Sequence, residues 1–281
     1  MRYLRPETLG EALAALATAP HAILAGGTDF YPAAGDRPLR TDVLDITGLA
    51  ALRGVARAGD GWRLGALTTW TDVVKAGLPP RFDALKGAAR EVGSVQIQNV
   101  ATVAGNLCNA SPAADGVPPL LALNAQVELS RQDGTRVLPL GDFLQGNRRT
   151  ALAADEMMTA ILIPDDLPGG DERSHFVKLG ARTYLVISIA MVAAVVAVDD
   201  AGAIAQARVS VGSCSVVARR LTALEADLTG QPLAQAAAIA APRHMADLSP
   251  IDDVRATAAY RREAALELVR RALSHCAGGQ P

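Results

Sequence analysis

Two short segments carry the residue types from which a site for an anionic, partly planar ligand would be built. The first is Leu24-Ala25-Gly26-Gly27-Thr28-Asp29. Glycine tolerates positive φ and presents no side chain, so successive backbone N–H groups in such a loop can converge on an anion. The Thr28 hydroxyl adds a donor, and a pyrophosphate is a natural occupant. Ordinary turn chemistry after a strand explains a Gly-Gly pair as well. The loop is not a Walker loop, because no Gly-Lys-Ser/Thr follows, and it lacks the Gly-x-Gly-x-x-Gly of a Rossmann domain.

The second segment runs over residues 99–115 and contains Thr102, Ala104, Gly105, Asn106, Ser111 and Asp115. Small and hydrogen-bonding residues fill it, with almost no charge. A solvated loop would carry Lys or Glu, and a core strand would carry larger apolar residues. The composition suits backbone packed against a polar, planar ligand, with Asn106, Ser111 and Asp115 available to the hydroxyls of a ribityl chain or ribose.

The elements that must hold these segments follow from periodicity. Thr8-Leu9-Gly10-Glu11 has capping-box spacing and opens a helix with Leu9, Ala12, Leu13 and Leu16 on one face. An apolar strand over 22–25 feeds the first glycine loop. Further strands are predicted at 42–46 and 62–67, and a helix at 82–92 with Gly93 past its end. Two alternating runs, 127–130 and 136–140, flank Gln132-Asp133-Gly134-Thr135 as a hairpin.

Pro164-Asp165-Asp166-Leu167-Pro168-Gly169-Gly170-Asp171 reads as a linker, which divides the chain into domains over 1–168 and 169–281. Beyond it, strands are predicted at 175–179, 187–198 and 203–212, then helices at 217–228 and 251–276. Strands followed by helices without strict alternation predict an α+β fold.

Bulk properties exclude several classes. Half of the 281 residues are hydrophobic and a fifth are charged, which fits a globular protein with a sizeable core. The net charge of −2 and the scattered basic residues do not predict a nucleic-acid partner. The uncharged run at 185–198 is shorter than the ~20 residues a spanning helix needs and is rich in Val and Ile, so it reads as buried strand. Pro6 and Glu7 interrupt the N-terminus too early for a secretion signal. A soluble, cytoplasmic protein with no membrane span is the expectation. Cys108, Cys214 and Cys276 show no Cys-x-x-Cys spacing and cannot build a four-cysteine iron–sulfur or zinc site. His21, His175, His244 and His275 are equally dispersed, so no metal site is readable.

Taken in order, the two segments resemble the FAD-binding subunit of molybdenum hydroxylases, the family that includes xanthine dehydrogenase and carbon monoxide dehydrogenase. The family's Ala-Gly-Gly-Thr-Asp-like loop corresponds to Ala25–Asp29. Its Thr-Ile-Gly-Gly-Asn and Ser-Pro-x-x-Asp correspond to Thr102–Asn106 and Ser111–Asp115, with Ala104 in place of the first paired glycine. The resemblance continues through Gly65-Ala66-Leu67-Thr68-Thr69, the stretch from Arg149 to Pro164, and Phe176-Val177-Lys178-Leu179-Gly180-Ala181-Arg182.

The resemblance implies an FAD-binding domain of the vanillyl-alcohol-oxidase/PCMH type, followed by a smaller domain of sheet plus helices. It implies FAD contacts from Leu24, Ala25, Gly26, Gly27, Thr28 and Asp29, and from Thr102, Ala104, Gly105, Asn106, Ser111 and Asp115. It adds Met158 near the flavin and Lys178 reaching the cofactor from the C-terminal domain; core packing and a solvated strand lysine explain these two as well. It also implies partners: a large molybdopterin-binding subunit and a small subunit with two [2Fe–2S] clusters, as a dimer of heterotrimers. The chain would then relay electrons to an acceptor such as NAD⁺, a quinone or O₂. A free-standing flavoenzyme acting on its own substrate and a flavin-free structural subunit are the alternatives.

Overall fold

The computed structural model describes residues 1–36, 38–168 and 170–278. Gly169, at which the expected C-terminal domain begins, lies outside the described residues, as do residues 37 and 279–281. In chain order the elements begin with β1 (Tyr3–Leu4), α1 (Leu9–Thr18), β2 (His21–Leu24), α2 (Phe30–Ala34), β3 (Asp42–Asp45), β4 (Val55–Ala58), β5 (Gly61–Gly65) and α3 (Trp70–Lys75). There follow α4 (Asp83–Glu91), α5 (Val95–Gln98), α6 (Val103–Asn109), α7 (Val117–Ala122), β6 (Gln126–Arg131), β7 (Gly134–Pro139), α8 (Leu140–Phe143), β8 (Leu144–Gly146), β9 (Arg149–Thr150) and β10 (Met157–Pro164). The remainder comprises β11 (Asp171–Leu179), β12 (Ala190–Val198), β13 (Ile204–Gly212), β14 (Arg219–Arg220), α9 (Thr222–Leu228), α10 (Ala236–Ile239) and α11 (Ala258–Cys276). The α+β class follows the expectation. No helix among the described residues is long and apolar enough to cross a membrane.

Two compact units emerge, and the chain passes between them more than once. The first holds Met1–Ala76, Ser94–Ala110 and Ala125–Pro164; the second holds Gly77–Gly93, Ser111–Asn124 and Asp165–Pro281.

In the first unit, β1 and β2 flank β3 in a small parallel sheet, with Ala22 opposite Val43. Helix α1 starts where its sequence demands: the Thr8 hydroxyl accepts the Glu11 N–H, and the Glu11 carboxylate accepts the Glu7 N–H. Its buried Ala12 and Leu16 join Leu44, Ile46, Leu49, Leu52, Leu67 and Met157 in one core. A five-stranded antiparallel sheet has the order β4-β5-β10-β6-β7. Inside it, Glu128 accepts from Thr159 (2.6 Å) and Arg63 (2.8 Å), so the buried polar groups near the β10 bulge are partnered. The hairpin falls one residue earlier than predicted: Arg131 pairs with Gly134, which leaves Gln132-Asp133 as the turn.

The second unit is built on a four-stranded antiparallel sheet, β11-β12-β13-β14. Every residue of β12 is buried, which explains its uninterrupted apolar sequence. Helices α9 and α11 cover the sheet through Leu224, Leu228, Leu268, Val269 and Leu273. Two predicted helices start later than their sequences suggested. Residues 217–221 are not helical, because Arg219–Arg220 pairs with Val211 and Ser210 as an edge strand. Residues 251–257 are a capped loop. The Asp253 carboxylate accepts the Arg255 and Ala256 N–H groups and the Asp252 carboxylate accepts that of Ala258, so side chains compete with the helical ladder until Thr257 caps α11. Likewise 187–189 precede β12 and are not strand.

Candidate functional site

The first glycine loop leaves β2 at the buried Leu24 and is held by main-chain packing. Ala25 rests against the core of the first unit. The Gly26 backbone lies directly on Val100 and Ala101, with no room for a side chain. Gly27 has φ of +74°, a conformation that disfavours L side chains. Its carbonyl accepts the Tyr31 N–H at 3.2 Å and so opens α2. Thr28 is half-buried and Asp29 is exposed.

The second segment, expected to be a loop, contains helix α6. Asn and Gly are poor helix formers, so the helix depends on its cap and its packing. The Thr102 hydroxyl accepts the Gly105 N–H at 3.0 Å, and Val103, Ala104 and Leu107 are buried beneath. The segment is anchored on α3: the Trp70 N–H donates to the Ala101 carbonyl, the Val103 N–H donates to the Thr68 carbonyl, and Thr69 bridges Thr102. Ala104 lies within the helix and is absent from the left-handed residues, so its methyl group costs no backbone strain. The side-chain oxygen of Asn106 is buried and has no hydrogen-bond partner among the described residues. Such an acceptor is uncommon in a folded chain and suits a ligand hydroxyl.

A further chain of contacts was not legible in the sequence. Asn109, at the end of α6, donates from Nδ2 to Asp29 Oδ1 at 3.1 Å. Its Oδ1 accepts from Arg148 Nη1 at 3.0 Å. Arg148 sits in the β8–β9 turn, more than a hundred residues after the first loop, and no local pattern marks it. Burial pushes the thiol of Cys108, beside Asn109, up to about 12, which disfavours the reactive thiolate.

Thus Leu24, Ala25, Gly26, Gly27, Thr28 and Asp29 come together in one unit with Thr102, Ala104, Gly105 and Asn106. Met158 belongs to the same unit as a buried residue of β10, opposite Leu129. Ser111, Asp115 and Lys178 fall in the second unit. There the Ser111 hydroxyl accepts the Ala113 N–H, as part of a tight turn. Lys178 and Asp115 form an ion pair at 2.7 Å, with side chains only 6% and 10% exposed. The Asp115 carboxylate also accepts from Ser188 at 2.7 Å, and the Lys178 ammonium donates to the Glu91 carbonyl. Burial pushes the Asp115 carboxyl up, while Lys178 and Ser188 pull it back. Lys178 is therefore not a solvated strand lysine.

Comparison with known proteins decides what these loops belong to. Residues 1–166 match the family described as "FAD binding domain in molybdopterin dehydrogenase", and 175–276 match the "CO dehydrogenase flavoprotein C-terminal domain". The chain belongs to the FAD-binding subunits of the molybdenum hydroxylases. The nicotinate dehydrogenase FAD-subunit of Eubacterium barkeri is 38% identical over 82% of this chain and 80% of its own length. The xanthine dehydrogenase FAD-binding subunit of Escherichia coli O157:H7 is 31% identical over 99% and 97%. A carbon monoxide dehydrogenase structure from Hydrogenophaga pseudoflava, in a form lacking the Mo-pyranopterin moiety, superposes with a TM-score of 0.88 at 27% identity, covering 99% of this chain and 97% of that one.

For an FAD-binding subunit, the geometry of the first unit is a fitting one. The missing side chain at Gly26 lets the first loop lie directly on Val100 and Ala101, and Gly27 at φ +74° takes a backbone conformation from which successive N–H groups can converge on an anion. The unpartnered Asn106 oxygen supplies an acceptor nearby in sequence to the Thr102 cap.

Proposed function

We propose that this subunit binds one FAD non-covalently and relays electrons between [2Fe–2S] clusters on a partner chain and an external acceptor such as NAD⁺, a quinone or O₂. One observation carries the reading: the two glycine-bearing segments of an FAD-binding family pack backbone to backbone at Gly26 and Ala101. FAD supplies the conversion between single-electron and two-electron chemistry; the protein's part is to bind, orient and tune it. In this reading Leu24 to Asp29 wrap the pyrophosphate, and Thr102, Ala104, Gly105 and Asn106 line the phosphate or ribityl side. Ser111, Asp115, Met158 and Lys178 complete the proposed set of cofactor residues. The buried Lys178–Asp115 pair gives both of its side chains a defined orientation.

The same reading divides the chain into an FAD-binding domain over 1–168 and a C-terminal domain over 169–281. It places the chain in a cytoplasmic assembly with a large molybdopterin-binding subunit and a small [2Fe–2S] subunit, as a dimer of heterotrimers. Relatives with names such as nicotinate dehydrogenase FAD-subunit and carbon monoxide dehydrogenase medium chain support it. Stopped-flow absorbance tests it. In the assembled complex the organic substrate should bleach the flavin rapidly, with iron–sulfur signals appearing on the way. The purified single chain should not be reduced by purines, aldehydes or aromatic thioesters. Fast bleaching of the single chain by one of these would replace the relay with a free-standing flavoenzyme.

A further inference from the structure

Resting on the FAD reading above, we propose that Arg148 is a positioning residue for the first glycine loop, acting through Asn109 on Asp29. Three observations combine. The side chains form a continuous chain, Arg148 Nη1 to Asn109 Oδ1 at 3.0 Å and Asn109 Nδ2 to Asp29 Oδ1 at 3.1 Å. The main chain is locked in parallel, since the Arg148 N–H donates to the Ala110 carbonyl at 2.9 Å. Both residues of that main-chain contact are left-handed without being glycine, Ala110 at φ +47° and Arg148 at φ +53°. Strained backbone of this kind persists where the surroundings over-determine it.

The chemistry of the three groups gives the chain a direction. A guanidinium has donors only, so Asn109 must turn its oxygen towards Arg148. The amide nitrogen then faces Asp29, whose carboxylate accepts only. Arg148 thereby decides which way the Asn109 amide points. Without it, either end of the amide can face Asp29, and the oxygen end repels the carboxylate. Arg148 also sets a positive charge at the far end of a chain that begins with the single acidic group of the anion loop. Asp29 without that brace adds an unbalanced negative charge beside the proposed pyrophosphate and leaves the loop's exit into α2 less fixed.

The test uses the full chain, freed of flavin and titrated with FAD. Arg148→Gly removes the guanidinium and relieves the left-handed backbone at once. The apo chain should therefore melt at the wild-type temperature or above it, while the FAD Kd rises about tenfold. Arg148→Lys keeps a donor-only head and should stay within about threefold of the wild type. Adding Asp29→Asn to Arg148→Gly should restore most of the lost affinity, because an amide at 29 accepts either orientation of Asn109 and carries no charge. Asp29→Asn alone gives the effect of that charge itself, and a purely structural role of the turn predicts the same Asp29→Asn effect with and without Arg148. Wild-type affinity in Arg148→Gly, or a loss that Asp29→Asn leaves untouched, would overturn the inference while the FAD reading stands. A wild-type chain that takes up no FAD would overturn both.

Discussion

The backbone at Gly26 passes so close to Ala101 that a Cβ on Gly26 would sit 2.8 Å from the Ala101 Cα, and closer still to the Val100 carbonyl oxygen. Neither neighbour is a side chain that can swing aside. Gly26→Ala should therefore push the first glycine loop off the second segment, at a stability cost of about 1–3 kcal/mol. It should also weaken FAD binding more than it weakens the fold, because the displaced backbone is the proposed phosphate cradle. Urea unfolding of the apo chain and flavin titration separate the two effects. Unchanged stability and affinity together would mean that the loop has freedom the packing does not indicate.

At Gly27 the constraint is conformational. With φ at +74°, and Tyr31 Cε2 2.8 Å from where a Cβ would stand, Gly27→Val combines a disfavoured backbone with a clash against a flexible ring. The ring belongs to a side chain more than half exposed, so the fold should survive while FAD binding is abolished. Ala104→Gly makes a contrasting control. It restores the family's usual glycine inside α6 and should cost only about 0.5–1 kcal/mol of helix stability, with flavin retained. Flavin content per chain after gel filtration reads both variants.

How much of this was legible in the sequence depends on the range of the interaction. Helix α1 and the β6–β7 hairpin were readable because Thr8 with Glu11, and Gln132-Asp133-Gly134, encode local hydrogen bonds and turn geometry. The all-apolar β12 was readable because burial on both faces removes the polar alternation. Helix α6 was not: Gly105, Asn106 and Asn109 argue against a helix, and only the Thr102 cap and the burial of Leu107 override them. Strand β10 was missed, although its Met157-Met158-Thr159-Ala160-Ile161 run is as buried as β12 and the 164–171 linker bounds its end, because a short apolar run without alternation carries no period that tells strand from helix. At the site, the glycines announced themselves by type. Arg148 and Ser188 act through contacts 39 and 73 residues away in sequence, with Asn109 and Asp115, and such pairings leave no periodic trace.

The Lys178–Asp115 pair makes its own prediction. Removing one member of a buried ion pair strands the other, at a typical cost of about 3–5 kcal/mol. Lys178→Met should thus destabilise the chain strongly near neutral pH. Burial already pushes the Asp115 carboxyl up, and the variant removes the ammonium that pulls it back. A carboxyl whose folded pKa lies above its unfolded value penalises the fold above that folded pKa and ceases to do so below the unfolded one. The deficit of Lys178→Met should therefore shrink as pH falls, and adding Asp115→Asn should recover much of it at neutral pH. Denaturant midpoints at several pH values check both statements.

The last prediction concerns the stacked histidines of the second unit. The His175 and His275 rings lie 3.9 Å apart between centroids at 17° between planes, one in β11 and the other in the last turn of α11. Burial lowers His175 from the ordinary 6.5 to about 4, and the facing His275 charge adds to the effect. The unfolded chain takes up a proton at this residue near pH 6.5, whereas the folded chain waits until about 4. Between those limits the unfolded state holds more protons, so stability rises with pH and is lost on acidification. His175→Phe keeps a flat ring against His275 and removes the titration. From pH 6.5 to 4 the wild type should lose about 1–2 kcal/mol more than this variant, with no further divergence at lower pH. Carboxylates such as Glu156, which its Arg136 fork holds below the usual carboxylate range, are common to both proteins and cancel in the difference. Parallel stability curves for the two chains across that window would show that His175 is as easily protonated in the fold as in water.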